Sequence, residues 1–149
     1  MQISSRFTIA VHILICIETF KDKQKVTSDF LASSVNVNPV MIRRILQQLK
    51  AAGIVNVARG TGGAELARPA EEITLLDLYR GVECVEDGKL FHFHENPNFL
   101  CPVGKNIHKV LDQRLDQIQK AMEREMASIT IGDLLKDTKK AMAGEAAAH

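Results

Sequence analysis

Apolar residues at Phe7, Ile9, Ala10, Ile13, Leu14, Ile17 and Phe20 recur at helical spacing and cover a stripe too wide for a surface helix. The pattern predicts a largely buried first helix over 4–20. The polar run KDKQK at 21–25 then reads as a solvated turn. Thr27 or Ser28 is placed to cap a short second helix near 28–34. Asp29 lies in its first turn, at the positive end of the helix dipole, and Phe30, Leu31 and Ala32 are its apolar content. VNVN at 35–38 is too short for an element and reads as a turn. Asn38 caps a third helix that begins at Pro39, where a missing N–H costs nothing. One face of that helix carries Ile42, Ile45, Leu46 and Leu49; the other carries Val40, Arg43, Arg44, Gln47, Gln48 and Lys50. Gly53 ends it as a left-handed cap.

The helical period is then lost. Residues 54–58, IVNVA, form a short β-branched strand, RGTGG at 59–63 turns, and 64–67 returns as a second strand. Helix, helix, turn, helix and hairpin in this order predict a winged helix-turn-helix. Thr74 and Asp77 form a variant capping box for a helix reaching about Val82. Residues 83–100 have no period and read as a loop. A long helix follows from Pro102 or Val103 to about Ser128. Ile107, Leu111, Leu115, Ile118, Met122, Met126 and Ile129 repeat along it at steps of three and four. This is a narrow seam on a charged helix, as in a coiled coil. At about 1.5 Å per residue the helix is roughly 39 Å long, more than so small a domain needs for its own core. The surplus seam suits a second chain. Thr130 caps a final helix to about Met142, and GEAAAH reads as a frayed tail. The expected fold is mainly α: a winged helix-turn-helix with a two-stranded wing over 1–82, a loop over 83–102, a long helix and a C-terminal helix over 103–143, and a tail over 144–149.

With 149 residues, 46% of them hydrophobic and 25% charged, the chain has material for one core and none of the signature of disorder. The apolar stretch from Phe7 to Phe20 falls short of the roughly 18 residues that span a bilayer. It contains His12 and Glu18, follows one early Arg, and has no small-residue cleavage site, so it is not read as a signal peptide. A soluble cytoplasmic protein is expected. The net charge is +1 but unevenly spread: residues 1–68 carry nine Lys and Arg against four Asp and Glu, while 69–149 carry ten against fourteen. A basic first half suits a polyanionic partner. Cys16, Cys84 and Cys101 are odd in number and widely spaced, with no CxxC pair. Neither a zinc site nor a disulfide framework is indicated. No nucleophile–base constellation, phosphate loop before a helix or acid/base carboxylate pair appears, which argues against an enzyme.

A third helix with arginines on its outer face suits a major groove. Arginine grips guanine or phosphate with two bonds, and the Gln47 amide is suited to adenine. Thr27, Ser28 and the second helix N-terminus offer hydroxyls and amides to phosphates. Asn38 and Val40 sit at the base-facing first turn, and Arg59, Gly60 and Thr61 form the wing tip against the minor groove or backbone. The candidate DNA-binding set is therefore Thr27, Ser28, Asn38, Val40, Arg43, Arg44, Gln47, Arg59, Gly60 and Thr61. A winged helix that binds only protein is the competing reading, because fold does not fix function.

The segments SSRFTIAVHILICI, VNVNPVMIRRILQQLKAAGIV, ARGTGGAELARP and EITLLDLYRGVE resemble the Rrf-two family of bacterial transcriptional regulators over nearly the whole chain. The resemblance implies a homodimeric regulator, a repressor, on a palindromic operator of double-stranded DNA. It implies dimerisation along the long helix through Ile107, Leu111, Leu115, Ile118, Met122 and Met126. The loop over 83–102 becomes the sensor segment. This chain departs from the family at Ala64, where an aromatic residue is usual. It departs again in the sensor: cluster-binding members carry three closely spaced cysteines, and here only Cys84 and Cys101 stand, 17 positions apart. His92, His94 and His108 are further donors, but an iron–sulfur cluster needs a full ligand set, and no cofactor is expected. Cys101 directly precedes Pro102. As an N-cap it would have a lowered thiol pKa, which suggests a redox sensor with Cys84 as resolving partner. The competing readings are that Cys101 is a small apolar residue, or that an effector binds between the domains while the cysteines stay idle. Cys16 belongs to the core.

Overall fold

The wide apolar stripe of α1 (Arg6–Phe20) organises the core in the computed structural model, which describes residues 3–59, 62–82 and 88–148. Ala10, Ile13, Leu14 and Ile17 have no exposed surface. Against them pack α2 (Ser28–Val35), α3 (Pro39–Ala51), α4 (Leu75–Gly81) and α6 (Ile131–Ala148). The fold is mainly α with a two-stranded sheet, and the expected winged helix-turn-helix is present. The side chain of Thr27 caps α2, and that of Asn38 caps α3 ahead of Pro39. Between them Asn36 turns the chain at φ 62°, the left-handed conformation that Asn tolerates best after Gly. Gly53 does the same after α3 at φ 75°.

Strands β1 (Val55–Val57) and β2 (Ala64–Leu66) pair antiparallel, with Asn56 opposite Glu65. The hairpin is tied to the α1–α2 turn: Ala64 donates its N–H to the Val26 carbonyl at 2.9 Å. Gly63 makes this possible. Its φ is 81°, and a Cβ there would stand 3.1 Å from both the nitrogen and oxygen of Val26. Gly63→Ala should therefore destabilise the fold by about 1–2 kcal/mol from the left-handed backbone alone. A thermal melt compared with wild type checks this, and an unchanged midpoint would refute it.

Two capping boxes sit side by side. Thr74 and Asp77 bond reciprocally at 3.0 and 3.1 Å, as do Thr130 and Asp133. Between the two threonines runs an antiparallel bridge, with Ile131 N–H on the Ile73 carbonyl at 2.8 Å and Leu75 N–H on the Ile129 carbonyl at 2.9 Å. This joint fixes the end of the long helix α5 (Pro102–Ser128) to the start of α4. None of the 27 residues of α5 is fully buried. Met122 and Met126 nonetheless pack on the chain's own core.

One expectation is corrected, and one element carries no signal in the sequence. The tail does not fray at 144: α6 continues through it to Ala148. Alanine is the strongest helix former, and one Gly costs only about 1 kcal/mol, too little to stop the helix. A 3-10 turn at Ala70–Glu72 follows Pro69, too short for a periodic signal. Among the described residues no helix is long and apolar enough to cross a membrane.

Candidate nucleic-acid interface

The amphipathic pattern of α3 sorts its side chains as expected. Ile42, Ile45, Leu46 and Leu49 are buried, and Arg43, Arg44, Gln47 and Lys50 are exposed. Gln48 is the exception: it is half-buried, and its Oε1 is shielded without a hydrogen-bond partner. Two grooves flank α3. The one toward the wing, about 420 Å³, is lined by Thr27, Ser28, Asp29, Arg43, Gln47, Lys50 and Arg59 among others. The second, about 640 Å³, lies on the other side, and Arg6, Asn38, Val40, Met41, Arg44 and Gln47 help to line it. Eight of the ten sequence-proposed residues thus come together along one helix and the wing beside it. Gly60 and Thr61 lie outside the described residues.

Several of these groups are already engaged. The Thr27 hydroxyl oxygen accepts from Phe30 N–H at 3.2 Å, and Asn38 Oδ1 accepts from Val40 N–H at 2.8 Å. Both side chains hold helix starts in place. The structure also sorts the basic residues. Lys21 is paired with Glu18 at 3.0 Å and Arg68 with Asp77 at 3.6 Å, whereas Arg43, Arg44, Lys50 and Arg59 form the exposed basic face. Asp29 is the carboxylate at that face, in the first turn of α2.

Arg6, Met41 and Lys50 also line these grooves, and of the three only Lys50 is placed on the outer face of α3 by its sequence position. Lys50 carried a signal, because 43, 47 and 50 follow one helical stripe. Arg6 carried none: it reaches α3 only because α1 packs across it.

At the other end of the molecule Cys101 is the N-cap of α5 and fully exposed. Its thiol is held below the ordinary range by the backbone N–H of Gly104 first and that of Val103 second. Gly104 is required there, because a Cβ would collide with the Asn98 carbonyl oxygen. Cys16, by contrast, is buried in α1 and bonds the Ser34 hydroxyl at 3.1 Å. Cys84 lies outside the described residues. The loop ahead of α5 is pinned to it by Gln119, which donates to the Gly88 carbonyl at 2.7 Å and accepts from Leu90 N–H at 3.0 Å. Phe93 stacks on His94 and packs on His108, which pairs with Asp112 at 3.2 Å.

The chain matches the family model for Rrf2, described as an iron-dependent transcriptional regulator, over residues 3–137. It belongs to the Rrf2 family. It is 43% identical over 134 residues to the "Putative HTH-type transcriptional regulator YwnA" of Bacillus subtilis, covering 90% of this chain and 97% of YwnA. A crystal structure of "a putative DNA binding protein" matches with a TM-score of 0.70 at 39% identity, covering 88% of this chain and 99% of that one. T. potens IscR shares the fold at a TM-score of 0.69 and 22% identity, over 95% of this chain and 90% of its own. The chain is thus an Rrf2-family transcriptional regulator, and members of the family are not enzymes. The family description implies iron. Among the described residues, however, no three His, Cys, Asp or Glu side chains are grouped to hold a metal ion. Cys101 stands at an exposed helix start, and His108 is engaged by Asp112 and Phe93. Among the described residues, which leave out Cys84, these donors do not make up the ligand set of an iron–sulfur cluster.

Proposed function

We infer that this Rrf2 protein is a cytoplasmic, homodimeric, sequence-specific DNA-binding repressor, one α3 helix reading each half of a palindromic operator. A single observation carries the reading: Arg43, Arg44, Lys50 and Arg59 form one exposed basic face on α3 and the adjoining wing, between two grooves. Helix and wing in this arrangement suit a major groove and its flanking backbone. Dimerisation is supported by the apolar side chains left exposed on α5. Selection of duplexes from a random pool by the full-length chain tests the proposal. A palindromic consensus is expected, with affinity falling steeply as salt rises. Failure to enrich any sequence refutes it. A reporter gene behind the selected operator should rise when the regulator is deleted, and an unchanged reporter refutes repression.

The environment of Cys101 favours regulation through a thiol. Its side chain is exposed at a helix start and makes no capping hydrogen bond, while the nearby N–H groups of Gly104 and then Val103 lower its thiol pKa, the setting of a reactive cysteine. The thiolate is the nucleophile, and a lowered pKa places its appearance at lower pH. Alkylation of Cys101 should therefore rise with pH through a midpoint below that of a free cysteine. Buried Cys16 should lag far behind. Mass spectrometry after timed iodoacetamide pulses reads both rates, and a Cys101 no faster than Cys16 would refute it. Cys101→Ser should keep operator binding and lose its response to mild peroxide.

A further inference from the structure

Among the described residues of the winged-helix part, 3–59 and 62–82, the exposed large hydrophobics are Val40 and Met41, at 48% and 41% exposure. Both stand in the first turn of α3. Single exposed apolar residues are ordinary. Here two stand together at the segment of a recognition helix that reaches base edges. They line the groove that also holds Arg6 and Arg44, and no carboxylate lines that groove. Its charge matches the phosphates on either side of a base edge, while its floor is apolar. Asn38, which also lines the groove, has its Oδ1 committed to the Val40 N–H, which fixes the backbone of Val40.

The major groove offers one apolar feature, the C5-methyl group of thymine. We infer that the first turn of α3 reads a thymine through that methyl group, with Val40 as the contact and Met41 as the adjoining wall. Arg44, one turn further along the same face, then takes a neighbouring guanine or phosphate. Polar side chains in this first turn would read a base by hydrogen bonds; Val40 and Met41 leave shape and methyl contact. The inference rests on the DNA-binding reading above, and its test separates the two.

Individual thymines of the selected duplex are replaced by uracil, which removes the methyl group and keeps base pairing. In each half-site one thymine should weaken binding about fourfold on replacement, the worth of one buried methyl group. In Val40→Ala the difference between thymine and uracil at that position should shrink toward none. Val40 is exposed, so the variant should melt with wild type, and circular dichroism confirms that it is folded. If uracil at every position binds as well as thymine, the methyl inference falls and the DNA-binding reading stands. If Val40→Ala and Met41→Ala both keep the full discrimination, another residue reads the thymine and the assignment is wrong. If no duplex is selected at all, both fall together.

Discussion

Arg43→Ala and Arg44→Ala should each cost about 1–3 kcal/mol in affinity for the selected operator if each side chain makes a bidentate base contact. That corresponds to a loss of roughly 5- to 150-fold. Both side chains project from α3 next to buried neighbours, Ile42 and Ile45, so their backbone is held rigidly against the core. A guanidinium on a fixed helix loses little freedom on binding, and its planar fork matches guanine O6 and N7. The losses should differ in kind from that of Arg59→Ala. Arg59 sits at the start of the wing tip, where backbone and minor-groove contact is favoured. Its removal should weaken all duplexes about equally and flatten the salt dependence by about one unit of slope. Competition between the selected operator and a scrambled duplex separates the two behaviours. If all three variants bind as wild type does, the basic face of α3 and the wing is not the DNA-binding surface.

Local signals made most of this architecture legible in the sequence. Asn38-Pro39, Thr27, Thr74 and Thr130 announce helix starts by chemistry confined to three or four residues, and all four cap as read. The face of α3 followed from a clean 3.6-residue period. Less was legible wherever tertiary packing decides. Arg6 joins the candidate site because α1 crosses α3. The pairing of Arg68 with Asp77 depends on where the hairpin hands over to α4. The seam of α5 shows the same limit. Periodicity identifies apolar residues at steps of three and four, but not whether a given residue faces its own core or another chain. Met122 and Met126 lie at the end of α5 that the Thr74–Thr130 joint draws onto the domain, and they pack inward.

The second large effect follows from that division of α5. Gln119 holds the preceding loop against one flank of the helix, next to Leu115, and Met122 and Met126 are taken up by the core. What remains is a stripe through Val103, Val110 and Ile118, exposed at 69%, 66% and 52%, with half-buried Ile107 and Leu111 beside it. A second copy of the helix laid along this stripe would bury it, as the proposed dimer requires. The double variant Val110→Lys, Ile118→Lys would place two ammonium groups per chain in that contact, and an unpaired buried charge costs several kcal/mol. Both positions are exposed within one chain, so the fold and its melting cooperativity should survive while the dimer does not. Sedimentation at micromolar concentration should give a dimer for wild type and a monomer for the variant. Specific binding should fall with it, because a monomer engages one half-site and loses the gain from holding the second at a fixed spacing. Met126→Lys makes the contrast: it should lower thermal stability first, since that side chain packs on its own core. A wild-type chain that sediments as a monomer, or a folded double variant that remains dimeric, would overturn the proposed interface.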